Sequence, residues 1–171
     1  MTLHLASIGA ERCDNRGGGD PEQMCPLDEP EFDRWWRTAD SSLDMAHLAA
    51  EHDAYHHACL HAEQAAQQAV KGLLHSVGAG SDARGHNLLA LGRAVAKATG
   101  AVLPEDVWEA LARLGRHYLP ARYPDALPGG APLDHYTAAD SSQALDDAIL
   151  VSDFVRRAWD GLRSAAEEDP G

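Results

Sequence analysis

The sequence predicts an all-α fold, an antiparallel up-and-down bundle of four to five helices. Residues 55–77 keep one helical period, with apolar side chains recurring at steps of three, four and one. Residues 32–50 and 145–162 carry apolar stripes of the same kind. Nowhere in the sequence do polar and apolar residues alternate in the way that is typical of a strand.

The length and composition suit one compact domain. The chain has 171 residues, of which 44% are hydrophobic, and this is enough apolar material for a core. We expect the domain to span residues 31–166. Residues 1–30, rich in Gly and Pro without a sustained period, are expected to form a disordered tail, and residues 167–171 an acidic frayed end.

Charge and cysteine content exclude some classes of function. The formal net charge of −13 argues against general binding to nucleic-acid phosphates, although a small basic pocket is compatible with it. No apolar run approaches the roughly 20 residues that span a bilayer, and the first residues lack the pattern of a secretory signal. The three cysteines match no zinc or redox spacing. We therefore expect a cytoplasmic protein with no membrane association.

The helices follow one another in a simple order. The first is expected to begin near residues 31–33 and to end at residues 51–53, and the second follows almost at once. Glycines at three positions in residues 78–85 stop the second helix, and Asn87 begins the third, which ends before Gly100. The fourth starts at Pro104, with Tyr118 on its apolar side.

A long segment without a helical pattern precedes the last helix. Residues 119–136 contain several prolines and glycines and are longer than a minimal connection needs to be. This length favours a functional loop. Thr137 and Asp140 then have the spacing of a capping box, with Asp in place of the usual Glu or Gln. This pattern predicts that the last helix begins there.

A polar stripe runs along the second helix, almost opposite its apolar face. Its members recur at alternating steps of four and three: His57, His61, Gln64, Gln68, Lys71 and His75. The stripe predicts either a solvated back of the helix or an interface, for example that of a homodimer.

Histidines are crowded in and before the same helix. His52 and His56, and likewise His57 and His61, are four residues apart, a spacing that allows two imidazoles to bind one metal ion. A metal site in a bundle also needs ligands from a facing helix, and no Glu-x-x-His is present. We therefore expect a surface histidine cluster and assign no metal cofactor.

The segment around Arg122 is a candidate phosphate site. Arg113, Arg116 and Arg122 lie within ten residues in an otherwise acidic chain, and a guanidinium group suits phosphate. Tyr123 could stack on a base. The alternative is structural: Arg122 pairs with Asp125 or a helix end, and Tyr123 closes the core. His86 either caps the third helix or reaches toward this loop.

Three stretches together resemble the HEPN domain (higher eukaryotes and prokaryotes nucleotide-binding). They are residues 55–71 (YHHACLHAEQAAQQAVK), residues 85–91 (GHNLLAL) and residues 121–125 (ARYPD). The resemblance covers about residues 33–163 and implies an up-and-down helical bundle. The branch with an Arg-Tyr-Pro-Asp loop is similar to the small helical partner of a minimal nucleotidyltransferase in toxin–antitoxin or defence systems.

The resemblance also implies a ribonuclease motif that this chain lacks. Ribonucleases of the family carry Arg, four to six residues, then His, and none of the arginines here has that spacing. The leading prediction is therefore a non-catalytic, dimeric nucleotide-binding or adaptor module with a nucleotide as its ligand. The predicted nucleotide-binding residues are Arg122 for phosphate, Tyr123 for base or ribose, and Lys71, His86, His61 and Gln64 around them.

Two other functions stay open from the sequence. One is a ribonuclease with an unusual constellation of Arg116, His117 and Arg122, for which the ligand would be RNA. The other is a helical scaffold in small-molecule metabolism, with the loop and the histidines lining a pocket.

Overall fold

The computed structural model describes residues 27–168, and this part of the chain is helical with no strand. Its five α-helices are α1 (Glu29–Glu51), α2 (Tyr55–Ser76), α3 (Leu88–Thr99), α4 (Glu105–Gly115) and α5 (Ala138–Glu168). Short 3-10 turns lie at Gly80–Ala83, Pro124–Ala126 and Pro132–Asp134. The tail prediction for residues 1–26 and the frayed end at residues 169–171 lie outside the described residues.

Contacts between helix ends fix the direction of α1, α2 and α5. The start of α1 meets the end of α2, where the Asp28 N–H donates to the carbonyl oxygen of Ser76 at 2.9 Å. The start of α1 also meets the end of α5, where Arg163 Nε donates to Glu29 Oε1 at 3.1 Å. The helix α1 therefore runs antiparallel to both α2 and α5.

The end of α4 lies against the early part of α5, where Arg113 is hydrogen-bonded to Asp147. The helices α1, α2, α4 and α5 thus alternate in direction along the chain, and α3 belongs to the connection between α2 and α4. This arrangement confirms the predicted antiparallel up-and-down bundle.

Sequence signals explain where the helices begin. Asp28 Oδ1 accepts a hydrogen bond from the Glu31 N–H at 3.0 Å, so α1 begins at Glu29, two residues before the expected start of the domain. At α5, the Thr137 N–H donates to Asp140 Oδ2 at 2.8 Å and the Asp140 N–H donates to Thr137 Oγ1 at 3.3 Å. The predicted capping box is therefore present.

The core lies between α2 and the helices that surround it. On α2 it is built largely from alanine, which lets the neighbouring helices approach closely, and Cys59 is buried among these residues. The largest fully buried apolar side chains come from all five helices: Phe32, Leu73, Leu74, Leu88, Leu91, Val95, Val107, Leu111, Leu114, Val151 and Val155. Aromatic stacking of Phe32 on Trp159, with centroids 4.3 Å apart, closes one end.

Gly72 permits the closest contact between α1 and α2. A Cβ atom at this position would lie 2.6 Å from Trp35 Cβ, nearer than two carbon atoms can approach. Trp35 also stacks on His75, with ring centroids 5.1 Å apart. The glycine inside the longest helical pattern of the sequence is therefore a packing residue.

The polar stripe predicted on α2 is divided between two neighbours. Gln68 Oε1 accepts a hydrogen bond from Ser42 Oγ of α1 at 2.8 Å, and His75 packs on Trp35 of the same helix. This part of the stripe lies inside the chain rather than on an open surface. Gln64 and Lys71, at the other edge of the same stripe, belong to the site described below.

The prediction from the sequence placed the end of α4 too late and the start of α3 one residue too early. The helix α4 ends at Gly115, and Tyr118 lies in the turns that follow. Asn87 is the N-cap of α3, since its Oδ1 accepts from the Ala90 N–H at 3.1 Å. Because Asn87 provides the cap, the preceding His86 is free to reach back to α2.

No helix within residues 27–168 is long and apolar enough to cross a bilayer.

Candidate functional site

A buried carboxylate on α2 is the starting point of the candidate site. Glu63 has no exposed surface, and both of its carboxylate oxygens accept hydrogen bonds from glutamine side chains, Oε2 from Gln64 Nε2 and Oε1 from Gln67 Nε2 at 2.8 Å. Burial raises the pKa of Glu63, while these two amides and the charges of Arg122 and Lys71 act in the opposite direction. The amides therefore satisfy a charge that would otherwise be costly to bury.

Gln67 connects this carboxylate to the loop before α3. Its Oε1 lies 2.9 Å from His86 Nδ1. The His86 ring in turn stacks on Tyr118, with centroids 4.5 Å apart and planes 17° apart. A continuous set of contacts thus runs from the inside of α2 to the segment that follows α4.

Two cations lie beside this set of contacts. The Arg122 guanidinium carbon is 4.6 Å from the centroid of the Tyr118 ring. Within residues 27–168 Arg122 forms no ion pair, so its expected pairing with Asp125 or a helix end is absent. Partial burial lowers the pKa of His86, and the charges of Lys71 and Arg122 lower it further. Lys71 and Arg122 are therefore close enough to act on the same imidazole.

An open groove of about 390 Å³ adjoins the cluster. Its polar lining comes from His86, Asn87, Arg116 and Tyr118, and its apolar lining from Leu88, Leu89, Leu111, Ala112 and Gly115. His86 and Tyr118 line the groove, and they are also the residues on which Arg122 and Lys71 act. The arrangement offers an apolar surface beside guanidinium and ammonium groups, which fits a ligand with a flat apolar part and an anionic part.

Four of the six predicted nucleotide-binding residues come together here. Lys71, His86 and Arg122 lie around the Glu63–Gln67 pair, and Gln64 is hydrogen-bonded to Glu63. His61 is half-buried at the edge of this group of residues. Its burial lowers its pKa most, and the charges of His57 and Arg122 lower it further.

Tyr123 does not join them. Its side chain is 51% exposed, and it makes no side-chain hydrogen bond or ring contact within residues 27–168. It therefore does not close the core, which the structural alternative required.

Two of the three residues of the ribonuclease alternative, Arg116 and His117, contact different parts of the chain. His117 Nδ1 lies 3.3 Å from the Tyr136 hydroxyl oxygen, and burial lowers the pKa of this histidine. Arg116 instead lines the groove beside His86. The structure thus places Arg122 and Arg116 near the groove and His117 against the segment before α5.

The histidines before and on α2 do not assemble a metal site in the described part of the chain. His56 and His57 have ring centroids 4.0 Å apart, and His57 is exposed. Residues 27–168 contain no group of three or more His, Cys, Asp or Glu side chains that could hold a metal ion. The candidate ligands His52, His56, His57 and His61 therefore lack the third protein ligand of a catalytic zinc centre.

Sequence reasoning missed three residues of the site, Glu63, Gln67 and Tyr118. Glu63 and Gln67 precede the predicted Lys71 at steps of four, which puts all three along one side of α2. A charged residue inside an alanine-rich run was the available signal. Tyr118 was placed in the core because it continues the apolar period of α4 beyond Gly115.

Comparison with known proteins identifies the domain. The model of the HEPN domain matches residues 32–158, which include the α2 cluster, the His86 loop and Arg122. The crystal structure of TT1696 from Thermus thermophilus is similar, with 35% sequence identity and a TM-score of 0.70 over 75% of this chain and 98% of that chain. No curated protein gives a significant match.

A second solved structure supports the same family assignment. The crystal structure of ST0689, an archaeal HEPN homologue, has 30% sequence identity and a TM-score of 0.60 over 73% of this chain and 94% of that chain. Both relatives are matched over nearly their whole length. This chain therefore belongs to the HEPN domain family, whose members are nucleotide-binding or RNase-like modules.

Proposed function

We propose that this HEPN domain is a non-catalytic nucleotide-binding module whose ligand occupies the groove beside His86. The observation that carries the proposal is that the charges of Lys71 and Arg122 act on His86, which lines the groove together with Arg116. These residues come from α2, the loop before α3 and the segment after α4. In a chain with a formal charge of −13, such a local group of cations favours an anionic ligand.

Arg122 and Lys71 are assigned to the phosphates. The guanidinium group of Arg122 forms no ion pair in the described part of the chain and packs only on the Tyr118 ring, so its N–H groups are available to phosphate oxygens. The partly exposed apolar residues of the groove, Leu89 and Ala112, support the base. Tyr123, which is exposed, can add a stacking surface when the ligand is present.

The absence of a nuclease motif supports a binding rather than a catalytic role. The Arg-x4–6-His spacing is missing from the sequence. His117, the histidine nearest to Arg116 along the chain, contacts Tyr136 away from the groove. The acid or base that this motif would place near the scissile phosphate is therefore absent from the sequence.

The same proposal includes partners. HEPN domains often form dimers, and the resemblance to the Arg-Tyr-Pro-Asp branch favours a homodimer that pairs with a minimal nucleotidyltransferase in a toxin–antitoxin or defence context. Co-expression with a neighbouring nucleotidyltransferase, followed by size-exclusion chromatography with light scattering, tests this part. A mass equal to the monomer alone under all conditions would reject both partners.

The nucleotide assignment is tested by thermal shift and calorimetry with ribonucleoside mono-, di- and triphosphates. Wild type is compared with Arg122→Ala and with a matched control, Arg157→Ala, which removes an exposed arginine of α5 far from the groove. A ligand that binds only the folded state raises the melting temperature. We expect a rise for wild type and the control, and its loss in Arg122→Ala. An equal rise in all three proteins would reject the site.

A parallel assay addresses the ribonuclease alternative. Cleavage of a labelled RNA by wild type that disappears in His117→Ala would replace the binding proposal with an enzymatic one. We expect intact RNA with both proteins.

A further inference from the structure

The hydrogen bonds of Gln67 determine which nitrogen of His86 carries the proton. Glu63 accepts from Gln67 Nε2 through Oε1, while its other oxygen accepts from Gln64. Both Glu63 oxygens accept from amide nitrogens, so the NH2 group of Gln67 faces Glu63 and its carbonyl oxygen faces His86. That oxygen lies 2.9 Å from His86 Nδ1 and also only accepts. The proton of the neutral imidazole is therefore on Nδ1.

The other ring nitrogen is consequently an acceptor. A neutral imidazole with its proton on Nδ1 has a lone pair on Nε2. Within residues 27–168, His86 Nε2 has no hydrogen-bond partner, and His86 lines the groove. Burial and the charges of Lys71 and Arg122 lower the pKa of this histidine, which favours the neutral form at neutral pH. His86 thus carries an unpaired acceptor at the edge of the groove, which a ligand hydroxyl or amine can satisfy.

The position of His86 indicates which part of a nucleotide provides that donor. The apolar lining of the groove adjoins His86, and the charges of Arg122 and Lys71 act on the same imidazole. His86 and Tyr118 are the residues that the two regions share. In a nucleotide, the ribose joins the base to the phosphates. A base in the groove and a phosphate at Arg122 therefore place the ribose beside His86.

We infer that Glu63 and Gln67 hold His86 as the Nδ1–H tautomer, and that its Nε2 accepts a hydrogen bond from a ribose hydroxyl of the bound nucleotide. This inference rests on the proposed nucleotide site for its second half only. His86 is then a specificity-determining residue, and Glu63 and Gln67 are positioning residues that act through it. The ligand class becomes ribonucleotides rather than nucleotides without ribose hydroxyls.

The tautomer is tested on the protein without ligand. Long-range proton–nitrogen correlation spectra distinguish the two ring nitrogens, and the spectrum of His86→Asn assigns the His86 signals among the ten histidines of the chain. We expect the proton on Nδ1 in wild type and a shift to Nε2 in Gln67→Leu, which has no carbonyl acceptor. A wild-type His86 with its proton on Nε2 would overturn the inference, whether or not the variant folds.

The ribose contact is tested by calorimetry with each ribonucleoside triphosphate and its dideoxy counterpart, which lacks both ribose hydroxyls. We expect wild type to bind the dideoxy compound about threefold to tenfold more weakly, because it cannot donate a hydrogen bond to Nε2. His86→Ala should bind both compounds alike. Since the readout is a ratio, a general weakening of binding in the variant does not affect it.

The outcomes separate the inference from the proposed function. Equal binding of ribo- and dideoxynucleotides by wild type overturns the ribose contact and leaves the nucleotide site intact. No binding of any nucleotide overturns the proposed function and the ribose contact together, whereas the tautomer measurement still decides the role of Glu63 and Gln67.

Discussion

The His86 imidazole stacks on the Tyr118 ring at a centroid distance of 4.5 Å, and the Arg122 guanidinium carbon lies 4.6 Å from the centroid of the same ring. One aromatic side chain thus contacts two of the predicted ligand-binding residues, although they lie far apart in the sequence. Tyr118 follows the end of α4, so the position of that helix end controls the geometry of the site.

The Tyr118 ring, rather than its hydroxyl group, is expected to support the site. Tyr118→Phe keeps both ring contacts and should bind nucleotide within about twofold of wild type. Tyr118→Ala removes the aromatic and cation–π contacts, each worth about 1 kcal/mol, so we expect binding to weaken by up to about thirtyfold. Calorimetry compares the two variants. Equal affinities would show that Tyr118 does not position Arg122 or His86.

The ion pair between α4 and α5 is expected to stabilise the fold. Arg113 Nε and Nη2 donate to the two carboxylate oxygens of Asp147 at 2.8 Å each, and Asp147 is 2% exposed. Arg113→Ala leaves this carboxylate buried with Gln143 as its remaining donor. We expect the free energy of unfolding to fall by about 2–3 kcal/mol, less than for a fully buried pair because Arg113 is partly exposed.

Urea unfolding measures this change, with Arg157→Ala as the control. The control removes an exposed arginine of α5 and should stay within about 0.5 kcal/mol of wild type. A similar small effect for both variants would mean that water replaces the Arg113 side chain at Asp147 without cost.

Two glycines in helices are expected to respond in opposite ways to alanine. At Gly72 an added Cβ would lie 2.6 Å from Trp35 Cβ, so Gly72→Ala should lower the free energy of unfolding by about 1–3 kcal/mol through overpacking. At Gly161 a Cβ would meet nothing within 4 Å, so Gly161→Ala should raise it by about 0.5–1 kcal/mol through helix propensity. Thermal unfolding of both variants gives the signs. A stabilised Gly72→Ala would contradict the close contact.

Buried histidines are expected to make the fold less stable in mild acid. Burial lowers the pKa of His117, so the unfolded chain binds a proton that the folded chain does not. The free energy of unfolding therefore rises with pH around the ordinary histidine pKa. As the pH falls from about 7 to about 5, this part of the stability is lost.

His117→Gln should reduce this loss, since glutamine does not titrate. Urea unfolding of wild type and variant at both ends of the range provides the measurement. The variant should retain part of the slope, because burial also lowers the pKa of His56, His61 and His86. Parallel pH dependences for the two proteins would contradict the assignment.

The fold could be read from the sequence because it depends on local periodicity. The apolar face of α2 and the Thr137–Asp140 capping box each depend on residues only a few positions apart, and both are present in the structure. The predicted end of α4 was wrong because Tyr118 continues the apolar period after Gly115, where the helix ends. The division of the polar stripe on α2 could not be predicted, since it depends on which neighbour faces Gln68.

The candidate site was predictable in part for the same reason. Arg122 and His86 stand in motifs that resemble the HEPN domain, and Lys71 follows from the helical period. The Glu63–Gln67 pair is different, because a buried polar network is defined by burial and by long-range contacts to His86. Tyr123 appeared within a motif, yet its side chain remains exposed in the structure.

The central claim, that the groove beside His86 holds a nucleotide, can be tested by filling the groove without removing any polar group. Gly115 lines the groove, and a Cβ there would meet nothing within 4 Å, so Gly115→Leu should fold while its side chain occupies the space of the ligand. Gly161→Leu is the matched control, since Gly161 is equally open but lies on α5 away from the groove.

The measurement is the calorimetric affinity of wild type and both variants for the ribonucleoside triphosphate that stabilises wild type most. We predict that Gly161→Leu binds as wild type does and that Gly115→Leu has lost binding while unfolding at a similar temperature without ligand. Unchanged affinity in a folded Gly115→Leu would contradict the account, because the nucleotide would then have to bind elsewhere on the domain.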